Sequence, residues 1–219
     1  INVFCDVMTK RIFPEFESIS LEADKVADAK YQRLESLSIG EYDTWDIGDA
    51  AERALEAGLA YYESLEGVRQ SLLNLTIVAL YHMFEQQMLS FHRRQVLHPR
   101  DENTIAKIKM GEMKRLLSDS GLNLESLASW PKIDELRIVA NTIKHAEGTS
   151  SEQAKDLRLD LFKHPLLGDE ESRWAGQTRV YMPLGGKDIY IRVNDLESYR
   201  SALVAFWKEF GEAIKQPNR

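Results

Sequence analysis

Between residues 50 and 96 the chain has no proline, and helix formers dominate. This run constrains the fold more than any other stretch, because so long a helical segment must be flanked by other elements along much of its length. Leu55, Leu59, Tyr62 and Leu65 recur at helical spacing in its first half. Gly58 and Gly67 are costly inside a helix but tolerable, so the run reads either as two helices joined at Gly67 or as one long bent helix. Residues 72–91 are apolar nearly all round, the mark of a central helix buried on several sides. Asp46 or Asp49 can cap its start, and Pro99 ends it.

The remaining elements follow from the same kind of pattern. Residues 3–11 suit a short helix. Pro14 suits the first turn of a second helix reaching about Ser36, with Phe16, Ile19, Val26, Ala29 and Leu34 as its inward positions. Residues 101–117 form a basic amphipathic helix stopped by Gly121, residues 124–129 a short piece, and residues 131–148 a helix with clear end signals. Residues 150–157 add one or two turns, and residues 164–177 read as loop. The period then changes. Residues 178–182 and 189–193 are β-branched and aromatic, and a Pro/Gly-rich turn separates them, which predicts a β-hairpin. A lone hairpin is marginal in water and must lie on the helices. Asn194 or Asp195 caps a closing helix to about Ile214, with Leu196, Tyr199, Leu203, Phe206, Trp207 and Phe210 inward. The expected fold is all-α: an antiparallel bundle of four or more helices, with a small C-terminal β-hairpin (178–193) and a closing helix (194–215), in one domain.

With 219 residues, 43% of them hydrophobic, the chain can bury a sizeable core without covalent staples. Its single cysteine, Cys5, excludes an internal disulfide and a multi-cysteine zinc site and fits a reducing cytoplasm. No run approaches the ~20 apolar residues that span a bilayer, and Ile1 opens no signal-peptide pattern. A cytoplasmic protein without a membrane partner is therefore expected. Net charge is −7, unevenly spread: residues 1–91 carry 7 Lys/Arg against 16 Asp/Glu, whereas residues 92–145 carry 10 against 7. The acidic total argues against broad non-specific nucleic-acid binding, while the basic middle leaves room for a local RNA surface.

Residues 131–148 hold the grouping with the clearest chemical use. Pro131 lies in the first turn behind Ser129 as a cap, Asp134 and Glu135 lie near the positive end of the helix dipole, and Gly148 marks the stop. Ile133, Leu136, Ala140 and Ile143 form an apolar stripe at helical pitch. Arg137, Asn141 and His145 form the adjacent stripe, with Lys144 at its margin. Cations also suit a helix C-terminus, so Lys144 and His145 have a plain electrostatic reading beside the functional one.

Residues 140–145, ANTIKH, with the preceding Leu136-Arg137 and the later glycine, resemble the signature helix of the HEPN superfamily. The stretch LLNLTIVALYHMFEQQ resembles the long central helix of bacterial proteins of that type, so the HEPN-like core covers residues 45–148. Asn141 and His145 align with the signature. Ala140 then stands where the family carries Arg, and alignment on Arg137 instead lengthens the spacer to His145. The resemblance implies a helical bundle of a bacterial defence or toxin–antitoxin system, a homodimer with paired motifs, RNA as substrate and a protein partner or antitoxin. It also implies a metal-independent endoribonuclease without cofactor.

In that chemistry the RNA 2′-OH is the nucleophile. His145 is the general acid/base, Arg137 or Lys144 stabilises the phosphorane, and Asn141 orients. Products would carry 2′,3′-cyclic phosphate ends. The alternative is a non-catalytic helical interaction or dimerisation module in which the same stripe is structural.

Two further groups stand out. Asn74, Tyr81, His82 and Glu85 share one side of the central helix. They read either as a paired polar network or, for Tyr81, His82 and Glu85, as lining of the same cleft. His82 and Glu85 alone are weak metal evidence, and no matching half is present. Arg93 and Arg94 near the end of that helix suit either the dipole or phosphate contact. There is no Gly-rich phosphate loop, G-x-S-x-G or HExxH.

Overall fold

The computed structural model describes residues 1–37, 47–96, 109–165 and 179–215. The α-helices are α1 (Asn2–Val7), α2 (Ile19–Leu37), α3 (Ile47–Phe91), α4 (Met110–Asp119), α5 (Trp130–His145), α6 (Thr149–Leu157) and α7 (Val193–Lys215). Short 3-10 and π turns join them. Of the expected helix at 101–117, residues 101–108 lie outside the described residues, as do the loop positions 166–177.

The proline-free run is one helix of 45 residues that passes through Gly67 without a break. At 1.5 Å per residue it is about 68 Å long. Its second half is the axis of the core: Leu73, Ile77, Leu80, Phe84 and Met88 are fully buried. Around them pack α5, through Ile133, Leu136, Ala140 and Ile143, and α7, through Leu196, Tyr199, Leu203, Phe206 and Phe210. Phe84 meets Phe206 edge-to-face, and Phe206 stacks on Phe210. The inward faces read from the sequence for α5 and α7 are the buried ones. Trp207 of α7 is only partly covered.

The first half of α3 packs chiefly against α2. Small residues set that contact. A Cβ added at Gly58 would come within 2.9 Å of the Ala23 carbonyl oxygen and 3.0 Å of the Ala27 Cβ. Ala23, Ala50 and Ala54 are buried, whereas Ala29, expected inward, is exposed. Pro14 does not start α2. It sits in a 3-10 turn, Phe13–Phe16, and α2 begins at Ile19.

The expected β-hairpin is not formed: among the described residues there is no strand. Val180, Ile189 and Ile191 are buried, but the Ile189 and Ile191 carbonyls are satisfied by side chains rather than by a ladder. Asn74 Nδ2 donates to the carbonyls of Pro183 (2.6 Å) and Ile189 (3.0 Å). Gln70 Nε2 donates to the Ile191 carbonyl (3.1 Å) and to Asn74 Oδ1 (3.1 Å). The Tyr190 amide donates to the Leu161 carbonyl. The turn closes on the Asp188 carboxylate, which accepts from the Tyr181 and Met182 amides, both at 2.8 Å. Gly186, at φ 76°, lies so close to α3 that a Cβ would strike the Gly67 carbonyl oxygen. The segment is an irregular strap clasped by two amide side chains of α3. No helix among the described residues is long and apolar enough to cross a membrane.

Candidate functional site

α5 is buried on more than one side. Besides its expected stripe, Trp130, Ile138, Val139 and Thr142 are buried, which leaves a narrow outward strip. Both ends differ from the sequence reading. Ser129 does not cap the helix; its amide and hydroxyl donate to the Glu209 carboxylate of α7, at 3.1 and 2.9 Å. The helix ends at His145 rather than near Gly148. Ala146 follows at φ 60°, ψ −126°, a backbone region that glycine normally fills.

Arg137 is half-buried, and its Nε donates to Asp134 Oδ1 at 2.7 Å. That hydrogen bond raises the guanidinium pKa above its ordinary value. Tyr81 of α3 is buried beside this pair. Desolvation, then the Glu85 charge, push its phenol up to about 12, so the Tyr81 hydroxyl stays protonated and can donate. His82 Nδ1 lies 3.2 Å from Glu85 Oε2, one turn along the same helix. Tyr81 on α3 thus lies near both the Glu85 charge and the Arg137–Asp134 pair of α5, and the polar seam there consists of two pairs, His82–Glu85 and Arg137–Asp134, each closed within its own helix. Asn74 does not belong to it, being spent on the strap.

Asn141 is half-covered, while Lys144 and His145 are exposed. None of the three has a hydrogen-bond partner among the described residues. Arg137 and His145 are two turns apart, about 12 Å along the helix axis. Ala140, where the signature has its Arg, is 2% exposed and packed in the core. Arg93 and Arg94 sit exposed on the π turn after α3. Among the described residues no three His, Cys, Asp or Glu side chains are placed to hold a metal ion.

Two features escaped the sequence reading. One is a part-buried ion network. Arg158, after α6, donates to Glu135 of α5 (2.7 Å), Asp160 (2.9 Å) and Asp195 of α7 (2.6 Å), and the Tyr199 hydroxyl donates to Glu135 at 2.9 Å. The Asp160 hydrogen bond leads in raising the Arg158 pKa. Apart from Asp160, two residues on, the partners lie 23 to 41 residues away and leave no local signal. The other is a cavity of about 910 Å³ between the N-terminal turn, α3 and the strap, lined by Phe13, Phe16, Leu59, Tyr62 and Tyr190 among others. Neither it nor a second, open cavity of about 670 Å³ beside Trp130 and Glu135 is lined by Arg137, Asn141 or His145. Comparison with family models, curated proteins and solved structures finds no significant match for this chain.

Proposed function

We propose that this chain is a non-catalytic helical interaction module, HEPN-like in its signature helix, in which the seam around Arg137 is structural. One observation carries the reading. The guanidinium best placed to stabilise a phosphorane is given to Asp134 on its own helix and sits beside buried Tyr81. Turning it to a substrate would give up that charge-assisted hydrogen bond to Asp134. His145 stands two turns away, and no cavity described above gathers the two.

The second reading is a metal-independent endoribonuclease whose site forms across two copies. The exposure of His145 beside Asn141 on one helix strip favours it. A neutral imidazole free at the surface can take the 2′-OH proton of a bound RNA, and a second copy could supply the cation.

Incubation of mixed RNAs with wild type and His145→Ala, followed by analysis of fragment ends, separates the two. The interaction module predicts intact RNA with both proteins. Cyclic phosphate ends made by wild type and lost in His145→Ala establish the second reading instead.

A further inference from the structure

Two rows run along the first half of α3. Leu55, Leu59 and Tyr62 follow one another at i, i+4 and i+7, and Leu55 and Leu59 are 70% and 54% exposed. Such exposure of consecutive leucines on an ordered helix marks a contact surface. Beside this row lie Glu52, Glu56 and Glu63, all exposed and within about 40° of each other at 100° per residue. None of the three has an ion-pair partner among the described residues.

The apolar row leads into the 910 Å³ cavity, which Leu59 and Tyr62 also line. Phe13 and Phe16 contribute further apolar and aromatic lining. Among the described lining residues Arg69 is neutralised by Glu66, and the Asp188 carboxylate is occupied by two backbone amides. Glu17, Glu63 and Lys187 remain, so the lining keeps an acidic excess.

We infer that this face docks a basic amphipathic helix of another protein. The inference rests on the interaction-module reading and names the partner class. Leucine-like residues of the partner would pack along Leu55 and Leu59, one large apolar side chain would enter the cavity, and its Lys or Arg row would face Glu52, Glu56 and Glu63. A second copy fits poorly, because it brings the same acidic row and sets like charges against each other.

The probes are two labelled synthetic amphipathic peptides of one apolar pattern, one of leucine and lysine and one of leucine and glutamate, followed by fluorescence anisotropy. The leucine–lysine peptide is expected to bind and the leucine–glutamate peptide not. Leu59→Glu, an exposed change whose fold is checked by circular dichroism, should weaken binding at least about tenfold. Charge reversal with Glu56→Lys and Glu63→Lys should invert the preference between the peptides. Equal binding of both peptides, or binding unaffected by Leu59→Glu, overturns the inference. So does a dimer, seen by light scattering, that Leu59→Glu dissociates. RNA cleavage lost in His145→Ala would instead contradict the module reading, whatever the peptides do.

Discussion

The Asn74 side chain donates to the carbonyl of Pro183 at 2.6 Å, across 109 residues of sequence. With its second bond, to Ile189, it does for the strap what a neighbouring strand would have done. Asn74→Leu removes both bonds, leaves the Ile189 carbonyl without its donor and leaves the Pro183 carbonyl only its turn bond from the Gly186 amide. The expected cost is about 2–3 kcal/mol, read as a lower midpoint in urea unfolding. Amide exchange should quicken in residues 179–192 before the core of α3.

Gly186 is held against the Gly67 carbonyl at a positive φ. Gly186→Ala meets both a backbone atom and an unfavourable conformation. A loss of about 1–3 kcal/mol is expected, measured by thermal melting, whereas Gly211→Ala, where a Cβ meets nothing within 4 Å, should cost nothing measurable or stabilise.

Arg158 neutralises carboxylates from three parts of the chain. Arg158→Met takes its cation from part-buried Asp195 and leaves Glu135 with Lys132 alone, and about 1.5–3 kcal/mol should be lost. The pH dependence has a definite sign. Burial alone would raise the Glu135 pKa, but hydrogen bonds from Lys132, Arg158 and Tyr199 outweigh it and hold it below 4.5. Asp160 is held below 3.8, chiefly by Arg158. A carboxylate depressed by folding stabilises the fold above its unfolded pKa. That stability is lost as pH falls below these values, and chemical denaturation between pH 5 and 2 should show wild type losing more than Arg158→Met.

His92 is 0% exposed, and neither ring nitrogen has a hydrogen-bond partner among the described residues. Desolvation lowers its pKa below 6.5, so folding requires the neutral ring and stability falls as pH drops through the ordinary histidine value. His92→Leu removes two unsatisfied atoms at similar volume. A gain of about 1–2 kcal/mol is expected, larger at pH 5 than at pH 8, from melting curves at both.

The long central helix and the inward faces of α5 and α7 were legible because helical periodicity is written into neighbouring residues. The strap was not. Val180, Ile189 and Ile191 are buried either way, and Gln70 and Asn74, far off in sequence, are what meet the Ile189 and Ile191 carbonyls in place of a strand. Ser129 misled for a similar reason, since its hydroxyl answers to Glu209. The stop at Ala146 carries no glycine signal. The stripe Arg137–Asn141–His145 was visible as a face of α5. Asp134 and Arg137 stand at i and i+3 on one helix, so their pairing is a local signal, but the buried Tyr81 of α3 beside them is not.

End-group analysis of RNA exposed to the protein over a concentration series, reaching levels that would populate a dimer, tests the central claim most directly. The account predicts no 2′,3′-cyclic phosphate ends at any concentration, for wild type and His145→Ala alike. Cyclic phosphate ends that rise with protein concentration and vanish in His145→Ala would contradict it.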